Sequence, residues 1–134
     1  METKSKLLQA YKRTRFEDDF EIISDYGEEG SYAIKAGVLK AGDKIAFTAP
    51  ASWLSASQHT NILAFQKYLE SRGFVVIIGD SFNRKEKYLA GTDQQRADEL
   101  MGFFKDEAVR AIWCMRGGWG CSRMIPLLDY DIIR

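Results

Sequence analysis

From Val38 onward, apolar residues gather into short runs separated by polar and glycine-rich connections. Lys44-Ile45-Ala46-Phe47-Thr48-Ala49 is entered through the turn signal Ala41-Gly42-Asp43 and ended by Pro50, and it has the length and content of a buried strand. Ala51 to Ser57 reads as a loop of small residues. Between Thr60 and Arg72, residues Ile62, Phe65, Tyr68 and Leu69 recur at spacings of three and four, which is one face of a helix, and Gly73 supplies its stop. Phe74-Val75-Val76-Ile77-Ile78 is unbroken and rich in β-branched residues, predicting a strand covered on both faces as in a parallel sheet.

The cycle then repeats. Asp80 to Gly91 is a polar loop, and Thr92 or Asp93 caps a helix running to about Lys105, with Ala97, Leu100, Met101 and Phe104 on one face. Val109 to Met115 forms a third strand that places Trp113 and Cys114 in the core. Arg116-Gly117-Gly118-Trp119-Gly120 is a glycine-rich turn, and Cys121 to Leu128 opens a further helix, with Pro126 in its first turns or kinking it. Strands alternating with helices predict an α/β fold: a three-layer, parallel-sheet (Rossmann-like) domain built from right-handed crossovers. Three strands make half of a doubly wound sheet, so the domain looks incomplete.

Residues 1–37 read differently. Lys4 to Phe20 is highly charged, with a patchy stripe of Leu7, Leu8, Tyr11, Phe16 and Phe20, and the rest of the segment is punctuated by Gly27, Gly30 and Gly37. This segment is expected to be an N-terminal extension of helix plus loop, either a docking arm or a surface lead-in to the domain at 38–134.

Composition narrows the function. In 134 residues, 19 Lys and Arg balance 19 Asp and Glu, which removes the electrostatic footprint of a nucleic-acid binder or a polybasic membrane-surface protein. Hydrophobic residues make up 46% of the chain, enough for a real core. Cys114 and Cys121 have neither disulfide-framework nor zinc spacing, and His59 alone cannot complete a Cys/His metal site, so no metal and no cofactor are expected. No apolar run reaches bilayer length and the N-terminus lacks a signal-peptide core, so a reducing cytoplasm is the expected compartment.

In open parallel sheets, ligands bind at the carboxyl ends of the strands. Three loops should emerge there: Ala49-Pro50-Ala51-Ser52, Gly79-Asp80-Ser81, and Arg116 to Gly120. Paired glycines at a strand-to-helix turn let the backbone approach a ligand, and their N–H groups can face an anion or an oxyanion; equally, they can serve a tight turn that needs positive φ. The first strand is not followed by a dinucleotide fingerprint, and there is no Walker motif. Ser122 and Cys121 lie near the glycine turn, but Ser122 lacks the second glycine of an elbow motif and only His59 could act as base; a surface or capping His59 and a packed Cys121 are the plainer readings. The carboxylate pairs Asp18-Asp19 and Glu28-Glu29 read as solvated surface. Trp119 in the glycine turn and Trp53 after Pro50 share the expected working edge, as walls of a cleft or as covers of the turns.

Taken in order, Leu39 to Ile45 with Ala49-Pro50-Ala51-Ser52, then Lys87 to Asp93 with Arg96 and Ala97, then Met115 to Gly120, Arg123 and Leu127-Leu128-Asp129 resemble the opening of the LD-carboxypeptidases, serine peptidases related to the microcin-immunity peptidases. The resemblance covers about Val38 to Arg134, and Trp119 stands where the family usually has tyrosine. It implies metal-free cleavage of a murein tetrapeptide by a Ser-His-Glu triad, releasing the terminal D-alanine during peptidoglycan recycling. It also implies that the nucleophile, on a Gly-x-Ser-Asp elbow, and the C-terminal catalytic domain lie beyond Arg134, leaving this chain hydrolytically silent. Gly117 and Gly118 match the active-site loop that helps form the oxyanion hole, while Ser52, Arg116 and Trp119 are candidates for the substrate cleft. The expected partners are a murein-derived peptide and a second copy or partner chain that completes the half-sheet, with no nucleic acid and no membrane. A non-catalytic α/β binding or interaction module is the alternative, and a small phosphate or nucleotide binder using Gly117-Gly118 is a third reading.

Overall fold

The computed structural model describes residues 21–23 and 33–35 as backbone, and residues 36–133. The chain divides into two compact units, Met1–Leu39 and Lys40–Arg134. In the first, β1 (Glu21–Ile23) pairs antiparallel with β2 (Ala33–Lys35), with Ile22 opposite Ile34. The charged stretch Lys4 to Phe20, expected to be helical, lies outside the described residues.

The second unit carries the α/β pattern. Its parallel sheet has the order β4-β3-β5, with β3 (Lys44–Thr48) in the centre, β4 (Val75–Ile78) on one side and β5 (Val109–Cys114) on the other. The first crossover, through α1 (Ala56–Ser71), moves the chain to one side of β3; the second, through α2 (Asp93–Lys105), moves it to the other. Opposite displacements with one handedness put the two helices on opposite faces of the sheet. Side chains along β3 alternate accordingly. Phe47 stacks on Phe65 of α1, whose ring also meets Trp113 of β5 edge-on at 5.0 Å, whereas Thr48 reaches Glu99 of α2. Ile45, Ala46 and Phe47 are at most 1% exposed, and burying a side chain the size of Phe47 contributes about 2 kcal/mol.

Both long helices begin on capping boxes, in which a hydroxyl and a glutamine satisfy each other's otherwise orphaned N–H groups. Ser55 Oγ accepts from the Gln58 N–H, and the Gln58 side chain accepts from the Ser55 N–H at 2.9 Å. Thr92 and Gln95 do the same for α2. The box at Ser55 starts α1 four residues before the Thr60 expected from its apolar face.

Three expectations are corrected. The run Phe74–Ile78 does not form a strand covered on both faces: β4 is an edge strand, and Val75 and Ile78 are exposed. Trp113 and Cys114 are exposed and not core, because β5 is the opposite edge and its far side has no strand beside it among the described residues. Cys121 to Leu128 does not open an α-helix. Its residues fall into two 3-10 turns, Trp119–Cys121 and Ile125–Leu127, closed by Ser122 N–H to Trp119 O at 3.2 Å and Leu128 N–H to Ile125 O at 3.4 Å. Pro126 has no N–H to continue a helix and disfavours the α region at Ile125, so helix resumes only in the single turn α3 (Tyr130–Ile133).

Candidate functional site

Because all three strands of the sheet run parallel, their carboxyl ends share one edge, and the three connections leaving it lie side by side. Main-chain bonds fix them there: Gly79 N–H donates to Phe47 O at 2.8 Å, and Met115 N–H to Thr48 O at 2.8 Å. The first connection folds back on the loop preceding α2, where Trp53 N–H donates to Tyr88 O and Ala90 N–H to Ala51 O.

The glycine turn stands against this wall. Gly118 has φ +137° and ψ −175°, a region open essentially to glycine alone, and a Cβ added there would meet Ser52 Oγ at 3.2 Å and Ala51 Cβ at 3.6 Å. Ser52, half-buried, and Gly118 are therefore brought together. Gly117 faces open space, and among the described residues the Gly117 and Gly118 amides have no hydrogen-bond acceptor. Two adjacent, unengaged N–H groups at the carboxyl edge of a sheet can receive an anion or a developing oxyanion. Arg116 stands directly before them in the chain, two residues past the end of β5.

Trp119 projects into solvent at 69% exposure, with Tyr88 6.5 Å away and the Arg123 guanidinium 5.9 Å from its ring. Trp53, bonded through its main-chain N–H to the Tyr88 carbonyl, turns its ring to Lys85 Nζ at 3.9 Å. Ser122 Oγ donates to Trp119 O at 2.8 Å, and His59 packs edge-on against Phe82 at 5.9 Å. Each has a local structural partner, and no histidine is placed to activate Ser122.

Two clusters on α2 hold the connections in place. Glu99, with its side chain 7% exposed, accepts from Thr48 Oγ1 at 2.6 Å, Ser81 Oγ at 2.6 Å and Ser81 N–H at 2.7 Å, and faces Arg84 at 3.7 Å. Ser81 Oγ in turn accepts from Ala49 N–H at 2.9 Å, so one carboxylate secures the ends of β3 and β4. One turn earlier, buried Arg96 donates from Nε to Gly91 O at 3.2 Å and from Nη1 to Pro50 O at 2.6 Å and Gly120 O at 2.8 Å. Its Nη2 pairs with Asp93, which also binds Arg123 at 2.8 Å. The hydrogen bond that Arg123 donates to Asp93, then the charge of that carboxylate, raises the Arg123 pKa above its ordinary value. In the sequence, Glu99 shows only as a charged residue on the sheet-facing side of an otherwise amphipathic helix, whereas Arg96 and Arg123 belong to the run of motifs that carries the family resemblance.

Among the described residues, no group of three or more His, Cys, Asp or Glu could hold a metal ion. Nor is any described helix long and apolar enough to cross a membrane.

Comparison with known proteins places the chain in a family. Residues 45–134 match the model of the LD-carboxypeptidase N-terminal domain. The chain is 36% identical over 88 residues to the murein tetrapeptide carboxypeptidase of Pseudomonas aeruginosa, covering 65% of this chain and 27% of the relative. It is 34% identical over 100 residues to a probable murein peptide carboxypeptidase of Bacillus subtilis, covering 75% and 30%. The crystal structure of an MccF-like protein from Bacillus anthracis superposes with a TM-score of 0.64 at 29% identity, over 71% of this chain and 29% of that one. The chain thus spans less than a third of the length of these relatives. Its parallel α/β sheet, its glycine turn and the match over residues 45–134 show that the chain belongs to the LD-carboxypeptidase family, of which it represents the N-terminal domain.

Proposed function

We propose that this chain supplies the N-terminal half of the active site of a serine-type LD-carboxypeptidase that removes the terminal D-alanine from murein tetrapeptides in cytoplasmic peptidoglycan recycling. The observation that carries this reading is the pair of unengaged Gly117 and Gly118 amides, with Gly118 packed against Ser52, within a segment matched to the family's N-terminal domain. In the complete enzyme a serine attacks the scissile carbonyl, a histidine takes and returns the proton, and a glutamate orients the histidine. Those three residues are expected beyond Arg134. This chain contributes the fixed dipoles: as the carbonyl oxygen gains negative charge, an amide of Gly117 or Gly118 donates to it without reorganising. Ser52, Arg116 and Trp119 border the peptide, Arg116 offering a cation to a carboxylate of the substrate. The names of the relatives in Pseudomonas aeruginosa and Bacillus subtilis support the choice of substrate.

The test is D-alanine release from a murein tetrapeptide. The 134-residue chain alone is expected to be silent, and a protein carrying it together with a triad-bearing C-terminal domain is expected to be active. Hydrolysis by the 134-residue chain alone contradicts the division of labour, and inactivity of the longer protein contradicts the activity itself.

The exposed residues Val75 and Ile78 on β4 and Trp113 on β5 favour a second, compatible reading, in which a second copy or a partner chain covers the sheet edges.

A further inference from the structure

Arg96 is 1% exposed and is among the largest fully buried side chains of the domain. Burial of a guanidinium demands a counter-charge and acceptors for its five N–H groups. Asp93 supplies the counter-charge. The remaining contacts go to main-chain carbonyls of three different connections: Pro50 after β3, Gly91 before α2, and Gly120 in the glycine turn after β5. One nitrogen, Nη1, holds both Pro50 O and Gly120 O. The joint is tight. A Cβ at Gly120 would lie 2.4 Å from Leu89 Cδ2, 3.3 Å from Arg96 Nη1 and 3.4 Å from Ala51 Cα.

We propose that Arg96 is a positioning residue: its buried guanidinium clamps the glycine turn to the Ala49–Ser52 connection, holding Gly118 against Ser52 and so fixing the Gly117 and Gly118 amides without a hydrogen bond to any of the three. A planar fork suits this task because its donors point in set directions from a rigid centre. The functional meaning of the clamp rests on the proposed reading of the glycine turn, but its geometry can be tested on the chain itself.

Arg96→Lys is the informative substitution. A lysine Nζ falls near the position of the arginine Cζ, one bond short of Nη1, so it keeps a charge near Asp93 while losing the reach to Pro50 and Gly120. Amide hydrogen exchange on the 134-residue chain is expected to accelerate about tenfold or more at Trp53, Ala90, Cys121 and Ser122, with less than about threefold change in the β3–β5 ladder. Equal acceleration of both sets, or no change at the four reporter amides, overturns the proposal. Should Arg96→Lys fail to fold, backbone relaxation of the unsubstituted chain decides. Order parameters at Gly117–Trp119 near the roughly 0.85 of a rigid backbone support the clamp, and values below about 0.6 overturn it. In an active protein carrying this chain, Arg96→Lys is expected to lower kcat about tenfold with KM little changed, since the oxyanion donors act mainly in the transition state. An unchanged kcat overturns the positioning role. If that protein shows no carboxypeptidase activity at all, the proposed function fails while the exchange experiment still decides the clamp.

Discussion

Gly117 and Gly118 are neighbours with different reasons for being glycine. Gly118 needs its φ of +137°, and it also lies where a side chain would press on Ser52. Gly117 has open space before it, so the geometry there asks only for access. The sequence shows two glycines after a strand; it does not show which serves the turn and which serves access, because that depends on where Ser52 arrives from a distant loop. Glu99 and Arg96 are hidden for a similar reason. A charged residue on a helix normally faces water, and its burial becomes visible only once three loops converge on it. Cys114 marks the opposite failure: its apolar neighbours in sequence suggest a core position, but it sits on an exposed edge. Partial desolvation, and secondarily the charge of Cys121, raise its thiol pKa. The folded chain therefore holds the Cys114 proton to higher pH than an unfolded chain does. The linked stabilisation is present below the ordinary thiol pKa and fades as pH climbs through the raised value. The alkylation rate of Cys114 is expected to titrate with a midpoint above the usual value of about 8.5, and Cys121→Ser should move that midpoint downward. A midpoint at or below the usual value, assigned to Cys114 by peptide mapping of the labelled cysteine, would show that neither effect operates.

At the scale of elements, the strands and the two long helices are legible because each combines an uninterrupted apolar run or a three-and-four spacing with a glycine or hydroxyl boundary. The Thr92 cap is visible in the sequence, and its box with Gln95 explains why α2 begins where expected. The Ser55–Gln58 box escapes the periodicity because the first turn of α1 is polar and carries no apolar face. Edge positions are illegible for a different reason. An apolar strand reads the same whether it lies in the middle of a sheet or waits at its margin, and only the order β4-β3-β5 reveals that β4 and β5 are both margins. Open edges with Val75, Ile78 and Trp113 exposed are templates for association. Size-exclusion chromatography with light scattering is expected to show a concentration-dependent dimer or higher species of the isolated chain. A monomer at all concentrations would mean that these edges are tolerated without a cover.

For the whole molecule, the sheet, the connections at its carboxyl edge and the family match over residues 45–134 are the ground on which the proposed hydrolytic role stands. In the proposed enzyme, Gly117 and Gly118 offer donors to an oxyanion, Arg96 holds them in place, and Ser52, Arg116 and Trp119 border the peptide. A nucleophile with a base is expected from elsewhere, and relatives of which this chain matches less than a third have room for it. The fold class and the family are legible because motif order survives along a chain even when individual side chains change. The clamp is not legible, since it exists only in three dimensions. The most direct test of the central claim is to read the coding frame past the codon for Arg134. The expected continuation is an apolar strand leading into Gly-x-Ser-Asp, then a C-terminal domain bearing the glutamate and histidine. A stop codon at that point, with no companion gene encoding the triad, would contradict a role in carboxypeptidase catalysis.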